Sequence, residues 1–170
     1  GASAGGVLTA LAVVRFQREG LPRPGAISMI NGSVNCMMPW DKGDSVYMIS
    51  ALDSSIYSFP ADNVVYADSD NITWMYFQDV DMERNNPLIY PGRYPEVMAK
   101  FPPSLLLDTN RGFTMSSTIL THSQLIKQGV DADLHIWEGL DHYAIYNSEL
   151  TETQDAYDII VKFFDKNLRH

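Results

Sequence analysis

The sequence predicts an α/β fold, a mainly parallel sheet with helices packed on both of its faces. Three observations predict it. An apolar helical pattern over residues 7–19 is followed, after Gly20, Pro22 and Pro24, by a β-rich run over residues 26–34. A short apolar run at 104–107, a helical pattern ending at Gln128 and an alternating run at 131–137 repeat the succession of strand, helix and strand. A helix with one apolar face then closes the chain over about residues 149–168. Strands separated by helices of this length are joined most simply by parallel crossovers.

Each element has its own reason. The helix at 7–19 is apolar nearly all round at its start, as suits a helix lying against a sheet, and Gly20 stops it. The strand at 26–34 is bracketed by Gly25 and the Gly32 region. From 35 to 100 the pattern loosens into a cap-like insertion. Met37, Met38, Trp40, Tyr47 and Met48 cluster there, and 44–57 and 71–81 read as short helices capped by Asp44 and Asn71. That stretch reads either as a cap lining an apolar pocket or as the ordinary core of a small subdomain. Prolines extend 86–91, and Phe101-Pro102-Pro103 leads into the strand at 104–107. Residues 108–113 read as a loop, and Thr114 or Ser116 caps the helix that ends before Gly129. In the last helix Ala156, Ile160 and Phe163, with Tyr157, Phe164 and Leu168, recur at three- and four-residue steps.

The 170 residues suffice for one domain with a real core. A net charge of −9 disfavours nucleic acid and anionic membrane surfaces as partners. Cys36 is the one cysteine, so no internal disulfide forms. No apolar run is long enough to span a membrane, so a soluble protein, cytoplasmic by default, is the expectation. His142 has no companion histidine or cysteine at ligand spacing, and neither a metal nor an organic cofactor is expected.

The first six residues, Gly1-Ala2-Ser3-Ala4-Gly5-Gly6, match G-x-S-x-G. In this motif a serine sits on a sharp turn between strand and helix, with its hydroxyl lifted clear of the sheet. Small neighbours are needed because strand and helix come close there. The amide of the next residue, Ala4, would face the oxygen that becomes charged in acyl transfer. The chain begins at this turn with no strand ahead of it. It is therefore expected to be the C-terminal part of a longer protein, its sheet completed by an N-terminal half or by an oligomer partner.

Three stretches, in order, resemble the α/β-hydrolase fold esterases of the hormone-sensitive-lipase type. The opening hexapeptide is similar to that family's G-D-S-A-G-G, with Ala2 in place of the usual aspartate. Asn86-Pro87-Leu88, followed by Pro102-Pro103-Ser104-Leu105-Leu106, is similar to its D-P-L and P-P-T-L-L. The run from Gly129-Val130 to Gly139-Leu140-Asp141-His142 is similar to its G-V-x-x-x-L-x-x-x-x-G-x-x-H. The resemblance implies a serine carboxylesterase, and the aromatic and methionine-rich cap makes short-chain, apolar acyl esters its expected small-molecule substrates. Ser3 would be the nucleophile, His142 the general base and Ala4 an oxyanion-hole donor. His122, His135 and His170 would have no role, lying on a helix face, in a strand and in the C-terminal tail.

The chain departs from that pattern at the third member of the triad. The family's G-T-R-D-F reads Thr109-Asn110-Arg111-Gly112-Phe113 here, so Gly112 holds the place of the acid. Asp108, four residues earlier, is the candidate substitute. Asp141 is the weaker one, because neighbouring side chains in a loop rarely face each other. The rival expectation is a degenerate or truncated hydrolase domain that binds without catalysis.

Overall fold

The middle strand of the sheet, β2 (Ser104–Thr109), is buried along its whole length and positions everything around it. The structure, a computed structural model, describes residues 1–35, 86–112 and 114–168. The helices expected at 44–57 and 71–81, Cys36, His170 and the aromatic and methionine cluster lie outside the described residues.

Among the described residues three parallel strands pair in the order β1, β2, β3, where β1 is Ile27–Ile30 and β3 is Ala132–Trp137. Met29, Leu106 and Leu134 lie side by side in register. Successive strand residues point to opposite faces, so each face collects its own core. One face packs Met29 and Leu106 with Ala10, Val13 and Val14 of helix α1 (Ala4–Glu19), Met98 of the short helix α2 (Pro95–Met98) and Leu125 of helix α3 (Met115–Lys127). The other face packs Leu105 and Leu107 against Ala156 and Phe163 of helix α4 (Thr151–Leu168). This is the α/β arrangement the sequence predicts. Of the periodic positions on α4, Ala156 and Phe163 are buried, together with Thr153.

Three boundaries differ from expectation, each for a local reason. Helix α1 starts at Ala4 rather than residue 7, directly behind Ser3. Strand β1 ends at Ile30 rather than 34, because Asn31 turns the chain with φ 48°. Strand β2 runs two residues past 107, since Asp108 and Thr109 pair with Ile136 and Trp137 of β3. Asp108, expected in a loop, is thus a strand residue only 1% exposed. Gly20 closes α1 in the left-handed conformation, as its place in the sequence predicts. No helix among the described residues is long and apolar enough to cross a membrane.

Leu106 is wholly buried between Met29 and Leu134. Leu106→Ala is expected to cost about 2–5 kcal/mol of stability, read as a lower urea midpoint with an unchanged slope.

Candidate active site

Ser3 has φ 53° and ψ −124°, a backbone conformation that a side-chain-bearing residue rarely adopts. Its surroundings hold it there. Residues 1–3 run beside the end of β1: the Ile30 amide donates to the Gly1 carbonyl at 2.9 Å, and the Ser3 amide to the Ile30 carbonyl at 2.8 Å. The chain then turns directly into α1, whose Gly6 amide donates to the Ser3 carbonyl at 2.8 Å. Two glycines let backbone meet backbone behind the turn. A Cβ on Gly32 would stand 2.3 Å from the Ser3 carbonyl oxygen, and one on Gly6 would stand 2.7 Å from that of Gly32. Within the opening motif, Gly1 and Gly6 reflect the close approach that the sequence suggests, whereas a Cβ on Gly5 would meet nothing within 4 Å. Ala4 is the first residue of α1, where amides find no acceptor within the helix.

His142 arrives from the far side of the sheet, in the loop after β3. Its Nε2 lies 2.8 Å from Ser3 Oγ. With the ring neutral and protonated on Nδ1, the serine hydroxyl donates to Nε2. The ring is buried, and burial pulls its pKa below the ordinary imidazole value, while the charge of Asp141 pulls the other way. The loop around it is tied down. The Asp141 carboxylate accepts from the Tyr143 amide at 2.9 Å, and the Thr153 hydroxyl of α4 donates to the Ala144 carbonyl at 2.8 Å. Tyr143 meets the imidazole edge to face.

The β2–β3 pairing continues upward into this loop. The Asn110 amide donates to the Trp137 carbonyl and the Arg111 amide to the Leu140 carbonyl, at 3.0 and 3.1 Å. The Asn110 side chain accepts from the Gly139 amide at 2.7 Å and donates to the Glu138 carboxylate. The two loops that end β2 and β3 are thereby zipped into one unit.

Asp108 is close by in the fold but is engaged elsewhere. Oδ1 accepts from the Thr109 amide at 2.8 Å and from the Thr114 hydroxyl at 3.1 Å, and Oδ2 accepts from the Thr118 hydroxyl at 2.6 Å. Those bonds tie the end of β2 to the first turn of α3. Thr114 holds the cap position of that helix, as expected, yet its hydroxyl serves Asp108 and not the helix amides. Burial raises the carboxyl pKa against the lowering effect of the Thr118, Thr109 and Thr114 hydrogen bonds.

Of the residues singled out in the sequence, the structure brings together Ser3, Ala4 and His142. It does not bring Asp108 onto the imidazole, and Asp141 serves its own turn. Gly112 is buried against Asp108: a Cβ there would stand 2.8 Å from Thr109 Oγ1 and 3.0 Å from Asp108 Oδ1. His122 contacts the Ala132 carbonyl at 3.1 Å and His135 stacks on Trp137, both away from Ser3. Among the described residues no three His, Cys, Asp or Glu side chains gather as a metal site. Sequence reasoning passed over Asn31, whose side chain reaches His142. Its signal was the Asn-Gly pair, a turn marker that the strand assigned to 26–34 absorbed.

Gly112→Asp is expected to lower stability by about 1–3 kcal/mol in urea unfolding, because its Cβ crowds Thr109 and brings a second carboxylate against Asp108. Adding Asp108→Asn should recover part of that loss by removing the charge repulsion.

A sequence model of the family described as alpha/beta hydrolase fold matches residues 1–146. No curated protein sequence matches the chain. Among solved structures it is similar to an esterase, E25, with TM-score 0.69 and 26% identity over 99% of this chain and 48% of that one. The fold is also similar to carboxyl esterase 2 (TmelEST2) from the mycorrhizal fungus Tuber melanosporum, with TM-score 0.68 and 18% identity over 99% of this chain and 53% of that one. An esterase from the bacterial hormone-sensitive lipase family gives TM-score 0.66 and 21% identity over 99% of this chain and 52% of that one. The chain spans about half the length of the structures it matches. The sharp turn at Ser3, the parallel sheet beneath it and the match over most of the sequence lead to one assignment: the chain belongs to the alpha/beta hydrolase fold family.

Proposed function

We propose that this chain carries the reacting groups of a serine carboxylesterase, with Ser3 as nucleophile and His142 as general base. The observation that supports this most directly is the 2.8 Å approach of His142 Nε2 to Ser3 Oγ at a strained turn. Ser3 Oγ attacks the ester carbonyl carbon while its proton passes to Nε2. The carbonyl oxygen takes up negative charge and is met by the Ala4 amide at the N-terminal end of α1. The tetrahedral intermediate collapses, the alcohol leaves with the proton from His142, and Ser3 is left acylated. Water, deprotonated by His142, then attacks the acyl carbon, and His142 returns the proton to Ser3 Oγ as the carboxylic acid leaves.

His142 must be neutral to accept the proton. Burial holds its pKa below the ordinary imidazole value, so a larger fraction is neutral at a given pH than for a solvated histidine. Asp141 opposes this by its charge and favours the imidazolium formed during attack. Short-chain acyl esters are the substrates we infer, from the aromatic and methionine-rich stretch between residues 37 and 77.

A second reading is favoured by one observation. The Asp108 carboxylate is committed to Thr109, Thr114 and Thr118, and Gly112 offers no side chain. On this reading the domain retains the serine and histidine but binds without turning over. In a serine triad, loss of the acid costs about four orders of magnitude in kcat.

Treatment with a fluorophosphonate, read by intact mass, separates the two. The esterase reading expects one adduct, absent in Ser3→Ala and in His142→Ala. Absence of any adduct on folded protein overturns it. If Asp108 acts as the acid, Asp108→Asn slows labelling by orders of magnitude in protein that remains folded. If it only anchors α3, the labelling rate stays near that of the parent.

Hydrolysis of p-nitrophenyl acetate should rise with pH as His142 loses its proton. The midpoint should lie below the ordinary imidazole value of about 6.5. A midpoint above it would contradict the burial of the ring.

A further inference from the structure

We infer that Asn31 is the positioning residue that sets His142 against Ser3. The inference rests on the reading of Ser3 and His142 as nucleophile and base.

Asn31 follows the last residue of β1, is 2% exposed and has φ 48°. Asparagine tolerates this left-handed conformation better than most residues. Its own amide donates to the Leu107 carbonyl at 2.8 Å, which pins it to β2. Its side-chain amide donates to the main-chain carbonyl of His142 at 2.6 Å. The flanking residues hold the other partner. Ile30 accepts the Ser3 amide, and Gly32 lies directly behind the Ser3 carbonyl. Three consecutive residues, 30–32, therefore grip the backbone of the nucleophile and that of the base, which lie 139 positions apart in the chain.

The other supports of the histidine loop act differently. Asp141 orders the turn internally, and Thr153 ties Ala144 to α4. Asn110 ties residue 139 to the end of β2. Asp141 fixes the shape of the loop, and Thr153 and Asn110 tie it to α4 and β2, whereas the Asn31 bond joins it to the end of β1, against which Ser3 is held. Proton transfer is steep in distance, so a small outward drift of the His142 backbone reduces reactivity without unfolding the domain. Asn31 Nδ2 bonds the main chain of His142 and not the reacting atoms, so its effect passes through His142.

The test uses Asn31→Gly, which keeps the left-handed φ and removes the amide, and Asn31→Asp, which keeps the shape and removes the donor. In fluorophosphonate labelling both variants should react about tenfold more slowly or worse. In p-nitrophenyl acetate hydrolysis the loss should fall on kcat, with KM little changed. Asn31→Asp should also move the acidic limb of the pH profile upward, because its carboxylate stabilises the imidazolium.

A measurement independent of activity completes it: the His142 ring titration by NMR, with and without Ser3→Ala. In the parent background Ser3→Ala should shift the His142 midpoint, because the ring loses its hydroxyl contact. In the Asn31→Gly background the same change should leave the midpoint where it is. An equal shift in both backgrounds overturns the inference, as does labelling of both variants at the parent rate. Failure of the underlying reading looks different: the parent protein itself gives no adduct that depends on Ser3.

Discussion

The backbone of Ser3 is the constraint on which the rest of the site depends. A residue at φ 53° and ψ −124° stays there only while its surroundings leave no easier conformation. Here the Ile30 carbonyl holds the Ser3 amide, α1 begins at once behind it, and Gly32 presses on its carbonyl. Each of these contacts needs β1 in place. Strand β1 is in place because β2 is, and β2 is held by apolar side chains on both faces. Core packing and the strained serine are therefore parts of one structure. The cost of the strain, about 1–3 kcal/mol, is offset by burial elsewhere in the sheet.

The histidine side of the site is built from hydrogen bonds more than from apolar packing. Main-chain bonds continue the β2–β3 pairing past the strand ends, and the Asn110 side chain closes the gap to residues 138 and 139. The division is physically sensible. The serine stands at the start of a helix, whereas the imidazole is carried by the loop after β3.

The fold was legible in the sequence because it is written in periodicity. Helix α4 shows its buried face at Ala156 and Phe163, and the parallel strands appear as short apolar runs separated by helices. The pairing of Ser3 with His142 could be read from motif order, although nothing local to His142 marks it out. What could not be read was the destination of individual polar side chains. Asp108 belongs to the strand because Thr109 and Trp137 extend the pairing, and its carboxylate is claimed by Thr114 and Thr118 at the start of α3. That depends on where two helical threonines land, which spacing along one strand does not determine. Asn31 was missed for a related reason: a single left-handed residue ends a strand that composition alone would extend.

The distances along the chain between the joined groups carry a consequence for how the domain is made. Ser3 and His142 are 139 positions apart, and Asn31 and His142 are 111 apart. Closing loops of that length is entropically slow, and contacts of large sequence separation form late in folding. Helix α1 can form from its own neighbourhood, whereas β1 and the turn at Ser3 wait for β2 to pair. The imidazole reaches the hydroxyl only after β3 has docked on β2 and the loop beyond it has closed. On the reading of Ser3 as nucleophile, its hydroxyl stays quiet on a partly folded chain and becomes reactive only once the three described strands have paired.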